Sequence, residues 1–141
     1  MHMTAVIATY KLNGGKRAMT TKIADSELEV MRILWREKRP LPFAEIRTEL
    51  ENSKKWSKST IQTLVTRLRD KNAINAQEHY VILYSPNITE QEYLNTEKNQ
   101  FLDKMFDGNA KNLVASLCQS GQLNENDIDE LKKFFVMERS H

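Results

Sequence analysis

The sequence predicts a mainly α-helical protein: three helices and a small β-hairpin, followed by three further helices. Three observations predict it. Apolar residues recur at helical spacing in six stretches, two short runs with Val, Ile and Tyr fall mid-chain, and Pro, Gly and Asn punctuate the gaps. A chain of 141 residues, 40% of them hydrophobic, can bury a real core as one domain or two small ones.

Residues 1–22 include Gly14-Gly15 and show no sustained periodicity, so they read as a flexible N-terminal tail. The first helix is expected from Ser26, where Ser26 and Glu29 have the spacing of a capping box. Leu28, Met31, Leu34 and Trp35 line its inner face, widened by Val30 and Ile33; Arg36, Lys38 and Arg39 near its end favour the helix dipole. Pro40-Leu41-Pro42 stops it. Pro42 is suited to open a second helix marked by Phe43, Ile46 and Leu50. Asn52-Ser-Lys-Lys55 turns the chain into a third helix, spanning residues 56–71, with Trp56 as a core anchor and Ser57 as N-cap. Ile61, Leu64, Val65 and Leu68 form its apolar face. Asn72 stands where a left-handed C-cap is expected. Residues 74–76 and 80–84 then read as two short strands around Gln77-Glu78-His79, ended by Pro86. Three helices followed by a two-stranded hairpin is the winged helix-turn-helix order.

Thr89 and Glu92 set a capping box for a long helix reaching about Phe106, stopped by Asp107-Gly108. A shorter helix carries Leu113, Val114, Leu117 and Cys118 up to Gly121. The last, from about Asn124, carries Ile128, Leu131, Phe134 and Phe135. Three such helices are too short to build an ample core of their own, so the row Leu113, Val114, Leu117, Ile128, Leu131, Phe134 and Phe135 is expected to meet a second chain. The plan is a tail (1–22), a winged-helix domain (23–87) and a helical dimerisation domain (88–141).

Charge follows this plan. Residues 1–22 hold four Lys/Arg and no acid, residues 23–87 eleven against nine, and residues 88–141 six against ten. A basic end suits a polyanion, an acidic end a protein partner or solvent. No apolar run approaches the ~20 residues of a membrane span, and nothing resembles the apolar core of a signal peptide. Cys118 is the single cysteine, which rules out an intramolecular disulfide and fits the cytoplasm. Among Leu113, Val114 and Leu117 it reads as a buried structural thiol.

Catalytic chemistry is missing. The four glycines are scattered, so neither a dinucleotide fingerprint nor a phosphate-binding loop exists. His2, His79 and His141 are far apart and there is no cysteine pair, so no metal site and no cofactor are expected. The acids at 125, 127, 129 and 130 crowd a helix start, where the dipole accounts for them. The chain does not read as an enzyme.

What remains is the outer face of the third helix. Segment 53–71 holds six Lys/Arg against one acid. Lys58, Ser59, Gln62, Thr63, Thr66, Arg67, Arg69 and Lys71 fall largely opposite the apolar stripe. An apolar back with a basic, Ser/Thr/Gln-rich front suits the DNA major groove. On these residues alone, a solvated helix that is merely basic fits as well. Gln62 can pair bidentately with adenine and Thr63 can touch a thymine methyl, whereas Lys54, Lys55, Lys58, Thr60, Arg67 and Arg69 suit phosphates. Ser59 and Thr66 complete the candidate set. The competing reading is a protein-interaction module in which the winged domain is scaffold and the acidic helices bind a partner.

Two long motifs, Ser26-Glu-Leu-Glu-Val-Met-Arg-Ile-Leu-Trp35 and Trp56-Ser-Lys-Ser-Thr-Ile-Gln-Thr-Leu-Val-Thr-Arg-Leu68, with Leu113-Val114 and Ile128-Asp-Glu-Leu131, resemble the penicillinase repressor (BlaI/MecI) family of winged-helix regulators. The resemblance runs from about Ile23 to Phe135. It implies a homodimeric repressor that binds a palindromic operator in double-stranded DNA, with the acidic helices as dimer interface. It also implies induction by a membrane sensor-protease, or a protease that sensor triggers, cutting within the first helix of the dimer domain. The family's Asn–Phe bond corresponds here to Gln100–Phe101. Copper-sensing relatives carry paired cysteines near the C-terminus, which this chain lacks. Thr60, Thr63 and Arg67 match the best-known members, but Ser59 and Gln62 replace basic residues, and the wing Gln77-Glu78-His79 is less basic than usual. An operator different from the family's TACA/TGTA half-sites is therefore expected.

Overall fold

The computed structural model describes residues 22–139, so the expectation of a tail over residues 1–22 lies outside the described residues except at Lys22. The elements run α1 (Asp25–Glu37), β1 (Leu41–Pro42), α2 (Phe43–Lys54), α3 (Lys58–Asp70), β2 (Ile74–Glu78), β3 (Ile82–Pro86), α4 (Glu90–Phe106), α5 (Ala110–Gln119) and α6 (Glu125–Arg139). The three helices, hairpin and three further helices expected from the sequence are all present. The chain divides into two compact units, one ending at Thr96 and the other beginning at Glu97.

In the first unit, α1–α3 enclose a core whose centre is Met31, Leu34, Ile46, Leu50, Ile61 and Leu68, each no more than 2% exposed. Full burial of one such side chain contributes about 1.5–3 kcal/mol, so the helical layer outweighs the hairpin. Trp56 packs against this core from its edge, as an anchor should. The cap of α1 differs from expectation. Glu27, not Glu29, reaches back, its Oε1 accepting the Ala24 N–H at 2.9 Å, so Ala24 is the N-cap and Ser26 lies inside the helix. Burial of Glu27 beside Lys71 fixes this frame, and sequence spacing cannot register a partner 44 positions away.

The hairpin is part of a three-stranded antiparallel sheet of order β1-β3-β2. Leu41 pairs with Tyr84 and Pro42 with Leu83. The sequence does not signal this strand, because a two-residue stretch that includes a proline carries no periodicity. Pro42 accordingly ends a strand and sits at the N-cap of α2, one position before the helix it was expected to open. The wing register is also shifted. Ile74 pairs with Pro86 and Glu78 with Ile82, which places Gln77 and Glu78 in β2 and leaves His79, Tyr80 and Val81 as the turn. That register aligns Ala76 with Tyr84 and buries Ile74 and Tyr84; a one-residue slip would turn them outward. Asn72, at φ 64°, makes the left-handed exit from α3 as expected.

Thr89 and Glu92 form the reciprocal capping box at the start of α4, with bonds of 2.9 and 3.0 Å. Ile88 and Tyr93 are buried in the core of the first unit. In the second unit Asp107 and Gly108 turn the chain at φ 50° and 77°, and Gly121 does so again at φ 80°. Asn109 caps α5, and Asn124 with Asp127 forms a second reciprocal box before α6. Asp127 is thus a capping residue as well as a dipole partner. No described residue from 97 onward is buried.

Candidate nucleic-acid interface

Helix α3 has two faces of opposite chemistry. Ile61, Leu64, Val65 and Leu68 are at most 4% exposed. Lys58, Ser59, Thr60, Gln62, Thr63, Thr66, Arg67 and Arg69 are all exposed. Ser57 caps the helix, its hydroxyl accepting the Thr60 N–H at 3.2 Å and lying 3.0 Å from the Thr60 and 3.2 Å from the Ser59 hydroxyl oxygens. The Lys58 and Ser59 amides in the same turn have no partner among the described residues. Together with the helix dipole they make an anion-binding end.

The Gln62 side chain makes no hydrogen bond among the described residues, so its amide has both a donor and an acceptor to offer. Thr63 is different. Its hydroxyl donates to the Ser59 carbonyl at 2.9 Å, which commits its proton to the backbone and leaves an acceptor oxygen and a methyl group.

The cations of the first unit segregate. Arg36 is bonded to Glu49 and Glu37, Arg39 to Glu45, and Arg47 to Glu51. The Arg36 guanidinium holds the Glu49 carboxyl below the usual carboxylate range, and Arg39 does the same to Glu45, in both cases first through the hydrogen bond. These three arginines are therefore matched by acid, while Arg32 of α1 is exposed and forms no ion pair among the described residues. Lys55, Lys58, Arg67 and Arg69 likewise form no ion pair among the described residues. Lys54 is intermediate, its ammonium lying 3.7 Å from Glu29. Lys71 leaves the set: its Nζ donates to Glu27 and to the Lys22 carbonyl, so the front-face position read from sequence is corrected to a partly buried ion pair.

Beside this helix the wing offers no Lys or Arg. Its tip presents fully exposed Tyr80, with Val81 and Ile82 also exposed. Sequence reading missed Tyr80 as a surface residue because the alternation of 80–84 reads as strand.

The remaining candidates lie in the second unit. Gln100 is half-buried and Phe101 exposed within α4, the Phe101 ring lying 5.9 Å from that of Phe106. Leu113, Leu117 and Ile128 are half-buried; Val114, Leu131, Phe134 and Phe135 are exposed. Cys118 is exposed, not the buried thiol expected, because α5 buries none of its residues in the single chain. Among the described residues no His/Cys/Asp/Glu group could hold a metal ion, and no helix is long and apolar enough to cross a membrane.

A family model described as penicillinase repressor matches residues 23–136. The chain is 35% identical to the penicillinase repressor of Bacillus licheniformis over 111 residues, covering 78% of this chain and 86% of that protein. It is 32% identical to the methicillin resistance regulatory protein MecI of Staphylococcus aureus strain N315, covering 80% and 92%. A solution structure of the DNA-binding domain of the repressor BlaI is similar at 40% identity and a TM-score of 0.46, over 51% of this chain and 88% of that one.

Proposed function

The chain belongs to the penicillinase repressor family, a family of transcriptional repressors and not of enzymes, and from that premise we propose that it represses transcription by occupying a palindromic operator as a homodimer. One observation carries the DNA-binding face. Arg36, Arg39 and Arg47 are each paired with a neighbouring acid, whereas Lys55, Lys58, Arg67 and Arg69, gathered around α3, have no ion-pair partner among the described residues. Unpaired cations along an exposed helix lower the cost of neutralising phosphates, because no internal pair must first be broken. Gln62 and Thr63 then read bases, the amide against adenine and the methyl against thymine. Lys54, Thr60, Ser59 and Thr66 flank them and set the register on phosphate and sugar.

The dimer reading draws on the second unit. From residue 97 onward no described residue is buried, and Leu131, Phe134 and Val114 are 46%, 67% and 41% exposed. Three helices with that much apolar surface and no buried layer need a second copy to cover it. Residues 23–87 are thus the reading head and 88–141 the pairing helices. Induction by cleavage at Gln100–Phe101 follows the family pattern; the bond lies inside α4, so a protease must first unwind about a turn.

Selection of bound sequences from random duplex DNA tests the proposal. The expected result is a two-fold symmetric consensus, bound with a steep salt dependence. Binding without sequence preference, or none, would instead favour a winged-helix protein-interaction module.

A further inference from the structure

The start of α4 is fastened to the reading head. The Trp35 indole N–H donates to the Ile88 carbonyl at 2.9 Å, and its ring lies 5.5 Å from that of Tyr93 at a 40° tilt. Just upstream, the Asn87 N–H donates to the Ala73 carbonyl at 2.9 Å and its side-chain amide to the Asn72 carbonyl at 3.0 Å. Asn72 is the left-handed residue that ends the exit from α3. The segment leading into α4 is therefore bonded to the end of the DNA-reading helix on one side and to α1 through Trp35 on the other. Ile88 is fully buried and Tyr93 is 8% exposed. Beyond Tyr93 no residue of α4 is buried, so Ile88 and Tyr93 carry the apolar packing that holds its first turns to the head.

We propose that Trp35 is a positioning residue for half-site spacing: by holding the first turns of α4 against the head, it sets the separation of half-sites that the dimer accepts. This rests on the homodimeric reading above. Trp35 does not belong to the candidate DNA face. It acts through α4, which spans 17 residues without a break. A helix of that length is about 25 Å long, and a tilt of about 10° at one end displaces the other by about 4 Å. The rise of one base pair is ~3.4 Å. A loosened attachment therefore blurs spacing by about one base pair while leaving each head's reading helix intact.

The test compares the full-length protein with Trp35→Phe, which keeps a ring beside Tyr93 but removes the N–H donor, and with Tyr93→Leu, which keeps apolar volume but removes the ring pair. The probes are duplexes carrying the selected half-site once, twice at its native spacing, and twice with one or two base pairs inserted or deleted. For the wild type, affinity at native spacing should exceed that at altered spacing by about tenfold or more, as expected for linked sites whose geometry must match. In both variants this ratio should fall to about threefold or less, while single-half-site affinity stays within about twofold. An unchanged spacing ratio in both variants overturns the proposal. So does an equal loss on single and double sites, which marks a role in head stability alone. A wild type that gains nothing from a second half-site removes the dimer reading itself, a distinct result seen before any variant is compared.

Discussion

The Lys71 ammonium lies 2.5 Å from a Glu27 carboxylate oxygen, which ties the exit of α3 to the first turn of α1. Glu27 is also the residue that caps α1 through the Ala24 N–H. One carboxylate thus sets the start of the first helix and holds the end of the third.

Replacing Lys71 by Met should leave a carboxylate whose side chain is 3% exposed without its cation. Loss of one partner of a buried pair costs about 3–5 kcal/mol, and since Lys71 itself is partly exposed the lower end is expected. The urea midpoint should fall accordingly, and the salt slope of DNA binding should stay as it was. A slope lowered by about one, with stability intact, would place Lys71 on phosphate instead.

Base reading and phosphate binding should separate by mutation. Gln62→Ala is expected to relax preference at one base pair by ~1–3 kcal/mol, and Arg67→Ala to weaken all sequences alike and flatten the salt slope by about one. Repeating the random-DNA selection with Gln62→Ala checks the first; an unchanged consensus would mean that Gln62 faces away from the bases.

Phe134, 67% exposed in the single chain, should be covered by a second copy. Sedimentation at micromolar concentration is expected to show twice the chain mass, and Phe134→Ala should shift it toward monomer and weaken operator binding in step. A clean wild-type monomer counts against the pairing helices.

Cutting α4 between residues 99 and 101, through an inserted specific protease site, should separate reading heads from pairing helices. Operator affinity is then expected to drop by about 10²–10⁴, the usual gain from linking two sites. Mobility shift before and after digestion measures it. Full affinity in the cut protein would rule out cleavage as a route to induction, whichever protease acts. Whether the bond is cut naturally is read from the N-terminus of any fragment found in derepressed cells, which should be Phe101.

Where local chemistry suffices, the sequence read correctly. Ser57 caps α3, Thr89 and Glu92 box α4, and Asn72 takes the left-handed exit, because each depends on residues within a few positions. The same holds for the two faces of α3, which follow from helical period alone. The candidate DNA face was legible for that reason, down to the exposed Gln62 and Arg67.

Other features are set by partners distant in the chain. Ser26 and Glu29 have a capping-box spacing as good as any, yet Glu27 takes the role because Lys71, 44 positions on, draws it inward. Leu41-Pro42 becomes a strand only because Tyr84 and Leu83 lie alongside, and the wing turn falls at Tyr80 because Ile74 and Tyr84 must both face the core. Cys118 sits in an apolar pattern, but whether that pattern is covered is not a local property. The sequence by itself determined the order of helices, their inner faces and the basic surface of α3, since these depend on spacing and side-chain type along one segment. Only the tertiary structure decided which cations stay unpaired, because Arg36, Arg39 and Lys71 meet their acids, and Lys58 and Arg67 do not, through the packing of separate helices.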